Sequence, residues 1–284
     1  MKLGFRRPRA IAPAVQLPKS NPDAQGHPQN CLNCGTALLD AYCHRCGQSA
    51  HTHRMSFKHF LFHDFVHGVW HLDKGFPATL KKAFVNPGKE IRDYLAGKRV
   101  GWFSILTLIL LLFAAINFVS SKIPDYGKPL TFENKEIESF VNHNAKWFLL
   151  TFCFVYSWAS RIIFRRAGLN LSEHTVMNTF FFIGILVIFL TEALFNYWEI
   201  DIGYASPISM LLYMAYAYYG AFGRLYTFPG WLWRYVVQWG LFALFSLSLM
   251  ATSAVIYGIA AGKKSTANAD RAPATKEIHA PAAP

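Results

Sequence analysis

An uncharged run of 19 residues, Trp102–Ser120, limits what this chain can fold into more than any other feature. As a helix rising ~1.5 Å per residue it is roughly 28 Å long, close to the ~30 Å hydrocarbon core of a bilayer. The whole chain agrees, since 53% of its 284 residues are hydrophobic and 15% are charged. Soluble domains carry about 25% charged residues. The sequence therefore predicts an integral membrane protein and excludes a chain disordered throughout and a disulfide-dense secreted scaffold.

Four more apolar segments follow the first, and aromatic residues lie at or near the ends of most of them, as in an interfacial belt. We therefore expect an all-α transmembrane domain over residues 102–259 with about five helices. The predicted spans are 102–120, 147–164, 176–198, 204–222 and 236–259. The flanking segments 1–30 and 263–284, rich in Pro or in Ala and Lys, are predicted to be disordered.

Basic residues in the short loops predict the orientation. They precede the first span, follow the second and separate the fourth from the fifth, which places these regions in the cytoplasm: Lys89, Arg92, Lys98, Arg99, Arg165, Arg166, Arg224 and Arg234. The N-terminus is then cytoplasmic, and an odd number of spans leaves the C-terminal tail outside. Residues 1–101 hold 15 Lys or Arg against 6 Asp or Glu, which favours contact with an anionic membrane surface.

Residues 31–48 contain two copies of the pattern Cys-x-x-Cys-Gly, with the cysteines at Cys31, Cys34, Cys43 and Cys46. Two such turns provide the four thiolates of a tetrahedral site, so we predict a knuckle that binds one structural Zn²⁺. Iron in the same shell, or redox and disulfide chemistry, is the alternative; a cytoplasmic location favours reduced thiols. We expect Tyr42 to pack beneath the site and Asn33, Arg45 and Gln48 to donate hydrogen bonds around it. Cys153, within a span, is predicted to be a buried packing residue.

Residues 55–101 are predicted to form amphipathic juxtamembrane helices. A first helix capped by Ser56 places His59, His63, His67 and His71 on one face. That face is either polar surface turned to lipid headgroups or a second metal site or pH sensor. Shorter helices are expected over Pro77–Val85 and Lys89–Ala96, ended by Asn86-Pro87-Gly88 and by Gly97.

Several function classes lack their sequence signals. There is no Walker loop, GxSxG, HExxH or dinucleotide-binding motif, so a non-enzymatic protein is predicted. The knuckle has one basic residue, Arg45, against one acid, Asp40, which argues against nucleic-acid binding. Glu192 and Arg161 are the polar groups that a transport function would use. They lie toward opposite faces of the membrane, so we do not expect them to pair.

Four segments of the chain resemble a known family: Tyr42–Gln48, His53–Ser56, Leu72–Phe76 and Pro87–Arg99. They are similar to the corresponding parts of the bacterial membrane family named domain of unknown function 3667. The resemblance implies a zinc-ribbon-like knuckle in the cytosol followed by several spans in the bacterial inner membrane. It implies no activity.

The function predicted from all these features is that of a membrane adaptor or assembly factor. Its knuckle and the basic stretch Lys81–Arg99 would bind a protein partner or anionic lipid. The alternative is a small-solute transporter or channel component that uses Glu192 and Arg161.

Overall fold

A computed structural model describes residues 29–50, 55–56, 60, 75–123, 154–200, 202 and 205–269. Most of the described residues are helical and none of them forms a β-strand, so the all-α prediction is confirmed for this part of the chain. Seven α-helices are described there: α1 (Gly75–Val85), α2 (Pro87–Leu95), α3 (Ile105–Ser120), α4 (residues 154–163), α5 (Leu171–Tyr197), α6 (Ala205–Phe222) and α7 (Phe228–Ala269).

Capping side chains decide where several of these helices begin. The Asn86 side chain accepts a hydrogen bond from the Lys89 amide and Pro87 opens α2, so this helix starts two residues before the predicted Lys89. Asn170 and Glu173 form a reciprocal capping box at the start of α5. That helix therefore begins at Leu171, five residues before the predicted span 176–198.

The last helix is longer than its predicted span at both ends. Pro229 lies in its first turn, where backbone N–H groups have no partner within the helix, so the missing N–H of proline costs no hydrogen bond. At the other end, the helix continues past residue 259 to Ala269. It thus includes the start of the segment 263–284 that was predicted to be disordered. Residues 243–269 belong to a second compact unit, and the rest of the described chain belongs to the first.

Aromatic side chains fill the core of the first unit. The rings of Phe164 and Phe222 stack with centroids 4.5 Å apart, and Tyr218 contacts both of them. Helix α3 packs along α5, and α2 packs against α6. The α2–α6 contact is close because Gly88 and Gly220 face each other without side chains. This contact brings the segment before the first predicted span onto the helical core.

One helix among the described residues, α5, is long and apolar enough to cross a membrane. Of its most apolar stretch, 56% is buried within the protein. Helix α3 is also apolar but shorter, with 16 residues, because Ser104 caps it and the helix begins at Ile105, three residues after Trp102.

Candidate metal centre and its connection to the helical domain

The two Cys-x-x-Cys-Gly copies fold into the same turn. In the first, Gly35 N donates to Cys31 O and Cys31 N donates to Thr36 O, both at 2.8 Å. In the second, Gly47 and Gln48 make the equivalent bonds to Cys43, also at 2.8 Å. Gly35 and Gly47 have φ of 75° and 74°, a left-handed conformation that glycine adopts without strain. The glycine after each cysteine pair is therefore required by the backbone conformation of the turn.

The four sulfur atoms converge, as the spacing predicted. Sγ of Cys31 lies 3.5 Å from that of Cys46, Sγ of Cys34 lies 3.5 Å from that of Cys43, and all four lie within 4.8 Å of one another. A tetrahedral ion with metal–sulfur bonds of about 2.3 Å has sulfur–sulfur edges of about 3.8 Å. A disulfide bond would need about 2.05 Å. The cluster is thus able to hold a metal ion such as zinc.

The thiols of Cys34 and Cys31 differ in acidity. Hydrogen bonding by Thr36, whose hydroxyl lies 3.3 Å from Cys34 Sγ, lowers the pKa of the Cys34 thiol to about 6. Burial raises the pKa of Cys31 to about 11, because a charged sulfur loses its hydration there. A bound cation would favour the thiolate form of all four residues.

Two expectations for the neighbours of the cysteines are wrong. Tyr42 is 66% exposed and does not pack beneath the cluster. Gln48 is buried, but its amide hydrogen-bonds the backbone far along the chain instead of the sulfur atoms. The hydroxyl beside a sulfur comes from Thr36, which occupies the position equivalent to Gln48 in the first repeat.

Gln48 connects the knuckle to the helical domain. Its Nε2 donates to Gly97 O at 2.6 Å, and its Oε1 accepts from Arg99 N at 3.1 Å. One amide therefore satisfies a donor and an acceptor on the backbone that follows α2. The bonds join residues about fifty positions apart and are shielded from water, since Gln48 is buried. The knuckle is consequently held on the helical domain by this side chain.

The basic stretch Lys81–Arg99 is partly occupied by contacts within the protein. Arg92 donates to the carbonyl groups of Gly220 and Ala221 at the end of α6. Lys82 lies 4.3 Å from the Trp102 ring and donates to Gly101 O. Lys89 pairs with Asp93, and Lys81 is exposed. Arg92 and Lys82 therefore serve packing, which the sequence pattern of a basic amphipathic helix did not indicate.

The residues proposed for transport are not brought together by any described contact. Arg161 is exposed on α4, and Glu192 is partly exposed on α5, where its carbonyl accepts from the Asn196 side chain. The histidines His59, His63, His67 and His71 and the fifth cysteine, Cys153, lie outside the described residues.

A buried set of polar side chains inside the helical core was missed by sequence reasoning. Tyr218 Oη donates to Asn178 Oδ1 at 2.5 Å and accepts from Gln238 Nε2 at 2.8 Å, while Asn178 Nδ2 donates to Ser157 Oγ at 3.0 Å. These residues come from α4, α5, α6 and α7. Single polar residues in apolar segments were the available signal, but nothing in the sequence pairs them.

Comparison with protein families, with curated proteins and with solved structures finds no match to this chain. The family resemblance drawn from the motifs stays a prediction.

Proposed function

We propose that this protein is a multi-pass adaptor or assembly factor of the bacterial inner membrane, whose cytoplasmic knuckle holds one structural zinc ion and binds a protein partner. The hydrogen bonds of Gln48 to Gly97 and Arg99 carry this proposal. A knuckle fastened to the helical domain presents its surface in a constant orientation. Such an arrangement suits docking better than a freely tethered module would, because less conformational entropy is lost on binding.

The outer surfaces of the helices support the membrane location. Large apolar side chains project outward from α3, α4, α6 and α7, among them Phe118, Trp158, Leu212 and Leu244. A soluble protein of this size would expose charged residues there, whereas lipid accepts such surfaces without cost. We propose about five spans with the N-terminus in the cytoplasm, as the basic loops predict.

The composition of the site favours zinc as a structural ion. Four thiolates complete a tetrahedral shell and leave no open position for a substrate or water, so the ion would stabilise the fold and supply no reaction chemistry. The knuckle has little apolar core of its own, and metal binding would provide much of its folding energy.

Leu39 and Tyr42 indicate where a partner would bind. They are 84% and 66% exposed and lie in the segment between the two cysteine pairs. Exposed aromatic and aliphatic side chains on a rigid support are typical centres of protein interfaces.

The test is quantitative co-purification of the full chain in mild detergent, with wild type and the variant Leu39→Ser/Tyr42→Ser compared. We expect proteins enriched with wild type to be lost with the variant while its zinc content stays unchanged. Val85→Ser, which removes an exposed apolar side chain elsewhere, is the matched control and should retain the partners. If the double variant keeps the same partners as wild type, the knuckle does not bind them and the adaptor proposal fails.

A further inference from the structure

A cluster of arginines at the end of α6 has no role in the functions described so far. The guanidinium carbons of Arg166 and Arg234 lie 5.5 and 4.3 Å from the centroid of the same Tyr226 ring. They are therefore no more than ~10 Å apart, about one Debye length at 0.1 M salt. Arg224 is two residues from Tyr226. Burial lowers the pKa of Arg92, and the positive charge of Arg224 lowers it further.

The positive charge of this cluster is not neutralised within the described part of the chain. The described ion pairs of Lys89 and Lys98 use the carboxylates of Glu90 and Asp93, and no carboxylate there pairs with Arg166, Arg224 or Arg234. Of these three, Arg234 makes the one described hydrogen bond, donating to Gly230 O at 2.6 Å. Guanidinium groups held near one another without an acid repel, and an anion between them removes the repulsion.

The Tyr226 side chain gives the cluster a fixed support. Its hydroxyl end is buried, and Phe164 packs edge-on against its ring with centroids 5.9 Å apart. Arg166 comes from the turn after α4 and Arg234 from the second turn of α7, so two elements distant in sequence supply the charges. The two guanidinium groups come close together because the fold places both of them on the Tyr226 ring.

The surface beside the cluster is apolar. Phe228, Leu232 and Trp233 are exposed on the first turns of α7, and Arg234 lies 5.1 Å from the Trp233 ring. A free phosphate ion would gain nothing from these side chains. A phospholipid would place its phosphate at the arginines and its glycerol and acyl chains along the aromatic surface.

We propose that Arg166 and Arg234 around Tyr226, with Arg224 two residues along the chain, form a binding site for the phosphodiester headgroup of an anionic glycerophospholipid. A zwitterionic headgroup carries an ammonium group that the arginines would repel, so the site selects lipids with net negative charge. The choice of lipid over free phosphate rests on the proposed membrane location. The arginine site itself rests on geometry and stands apart from the knuckle.

The test is native mass spectrometry of the full chain in detergent, titrated with phosphatidylglycerol or phosphatidylcholine. Wild type should retain phosphatidylglycerol in preference to phosphatidylcholine. The variant Arg166→Gln/Arg234→Gln should lose about tenfold in phosphatidylglycerol retention, equivalent to about 1.4 kcal/mol. The control Arg165→Gln/Lys122→Gln removes the same charge from exposed positions without a described contact to Tyr226 and should retain the lipid.

Each other outcome overturns the proposal. Equal losses in both double variants would mean a general charge effect, and no loss in either would mean that the arginines bind no lipid. Displacement of the lipid by millimolar inorganic phosphate would identify a free-phosphate site. A thermal melt of each variant shows whether it is folded. The variant Arg166→Lys/Arg234→Lys keeps the charge and should bind phosphatidylglycerol with an affinity between those of wild type and the glutamine variant. Loss of partners in the Leu39 and Tyr42 variant is measured separately, so failure of one proposal is distinguishable from failure of the other.

Discussion

Gly88 of α2 and Gly220 of α6 meet backbone to backbone, and a Cβ atom on Gly88 would overlap the backbone of Gly220 and Ala221. This crossing places Arg92 at the carbonyl end of α6 and holds the loop to which Gln48 binds. The short helix before the first predicted span is therefore part of the helical core, and the knuckle is attached to the core through it.

Replacing Gly88 with Ala should destabilise the protein by about 1–3 kcal/mol, because the helices must separate to admit the methyl group. The measurement is the thermal unfolding midpoint in detergent. Gly240→Ala is the matched control, since a Cβ atom there meets nothing within 4 Å and alanine favours the helix. Equal stability of the Gly88 variant and wild type would contradict the close crossing.

Metal analysis of the purified, reduced protein should find about one zinc ion per chain. Cys43→Ser/Cys46→Ser should abolish binding, because two remaining thiolates cannot close the shell. Cys153→Ser lies outside the motif and should keep full zinc content. Iron in place of zinc, or no metal in a folded sample, would refute the assignment.

Gln48→Leu should separate the docking of the knuckle from its metal binding. The variant leaves the Gly97 carbonyl and the Arg99 amide without their partner, which costs about 1–3 kcal/mol if both stay buried. Zinc content should remain that of wild type, because no sulfur atom is changed. Hydrogen exchange should become faster at the Arg99 amide. Unchanged exchange there would show that Gln48 does not hold the two parts together.

The ion pairs of Asp93 predict a specific pH dependence. Burial opposes the charged carboxylate, but hydrogen bonds from Lys89 and Lys98, each 3.0 Å long, outweigh it and lower the pKa of Asp93. The stabilisation is therefore present above the unfolded pKa of about 3.9 and is lost as pH falls through the lower folded value.

Asp93→Asn should accordingly cost about 1 kcal/mol at pH 7, since both lysines are partly exposed and water screens the pairs. The difference from wild type should vanish in unfolding experiments as the pH drops below about 4. Glu90→Gln, which loosens a longer 3.6 Å pair with Lys89, should have the smaller effect at pH 7. A cost for Asp93→Asn that does not change with pH would argue against the ion pairs as its cause.

Tyr218→Phe should destabilise the core by about 1–3 kcal/mol, because Asn178 and Gln238 lose the hydroxyl that they share. Tyr216→Phe removes a hydroxyl from the same helix that donates to Val85 O at an exposed position. Its loss should lower the free energy of unfolding by less, because water can replace that hydrogen bond. Thermal unfolding of the two variants compares a buried with an exposed hydroxyl. Similar midpoints would mean that the buried set contributes little.

The sequence by itself determined the local features of this protein. The paired Cys-x-x-Cys-Gly spacing predicted the sulfur cluster, because the turn geometry depends on five consecutive residues, the last of them a glycine with positive φ. Asn86 and Pro87 likewise marked the turn between two helices within one residue or two. These features depend on interactions between residues that are close together in the chain. The order of residue types therefore predicts them.

The tertiary structure alone decided which distant groups meet. Gln48 at Gly97, Arg92 at Gly220, and Arg166 with Arg234 on Tyr226 join positions far apart in sequence. Their residue types are equally compatible with exposure to solvent or to lipid. A basic amphipathic helix has the same sequence pattern whether it faces lipid headgroups or packs on a neighbouring helix. The physical reason is that such contacts depend on how the helices cross; for Arg92 at Gly220, they depend on two glycines that let α2 approach α6.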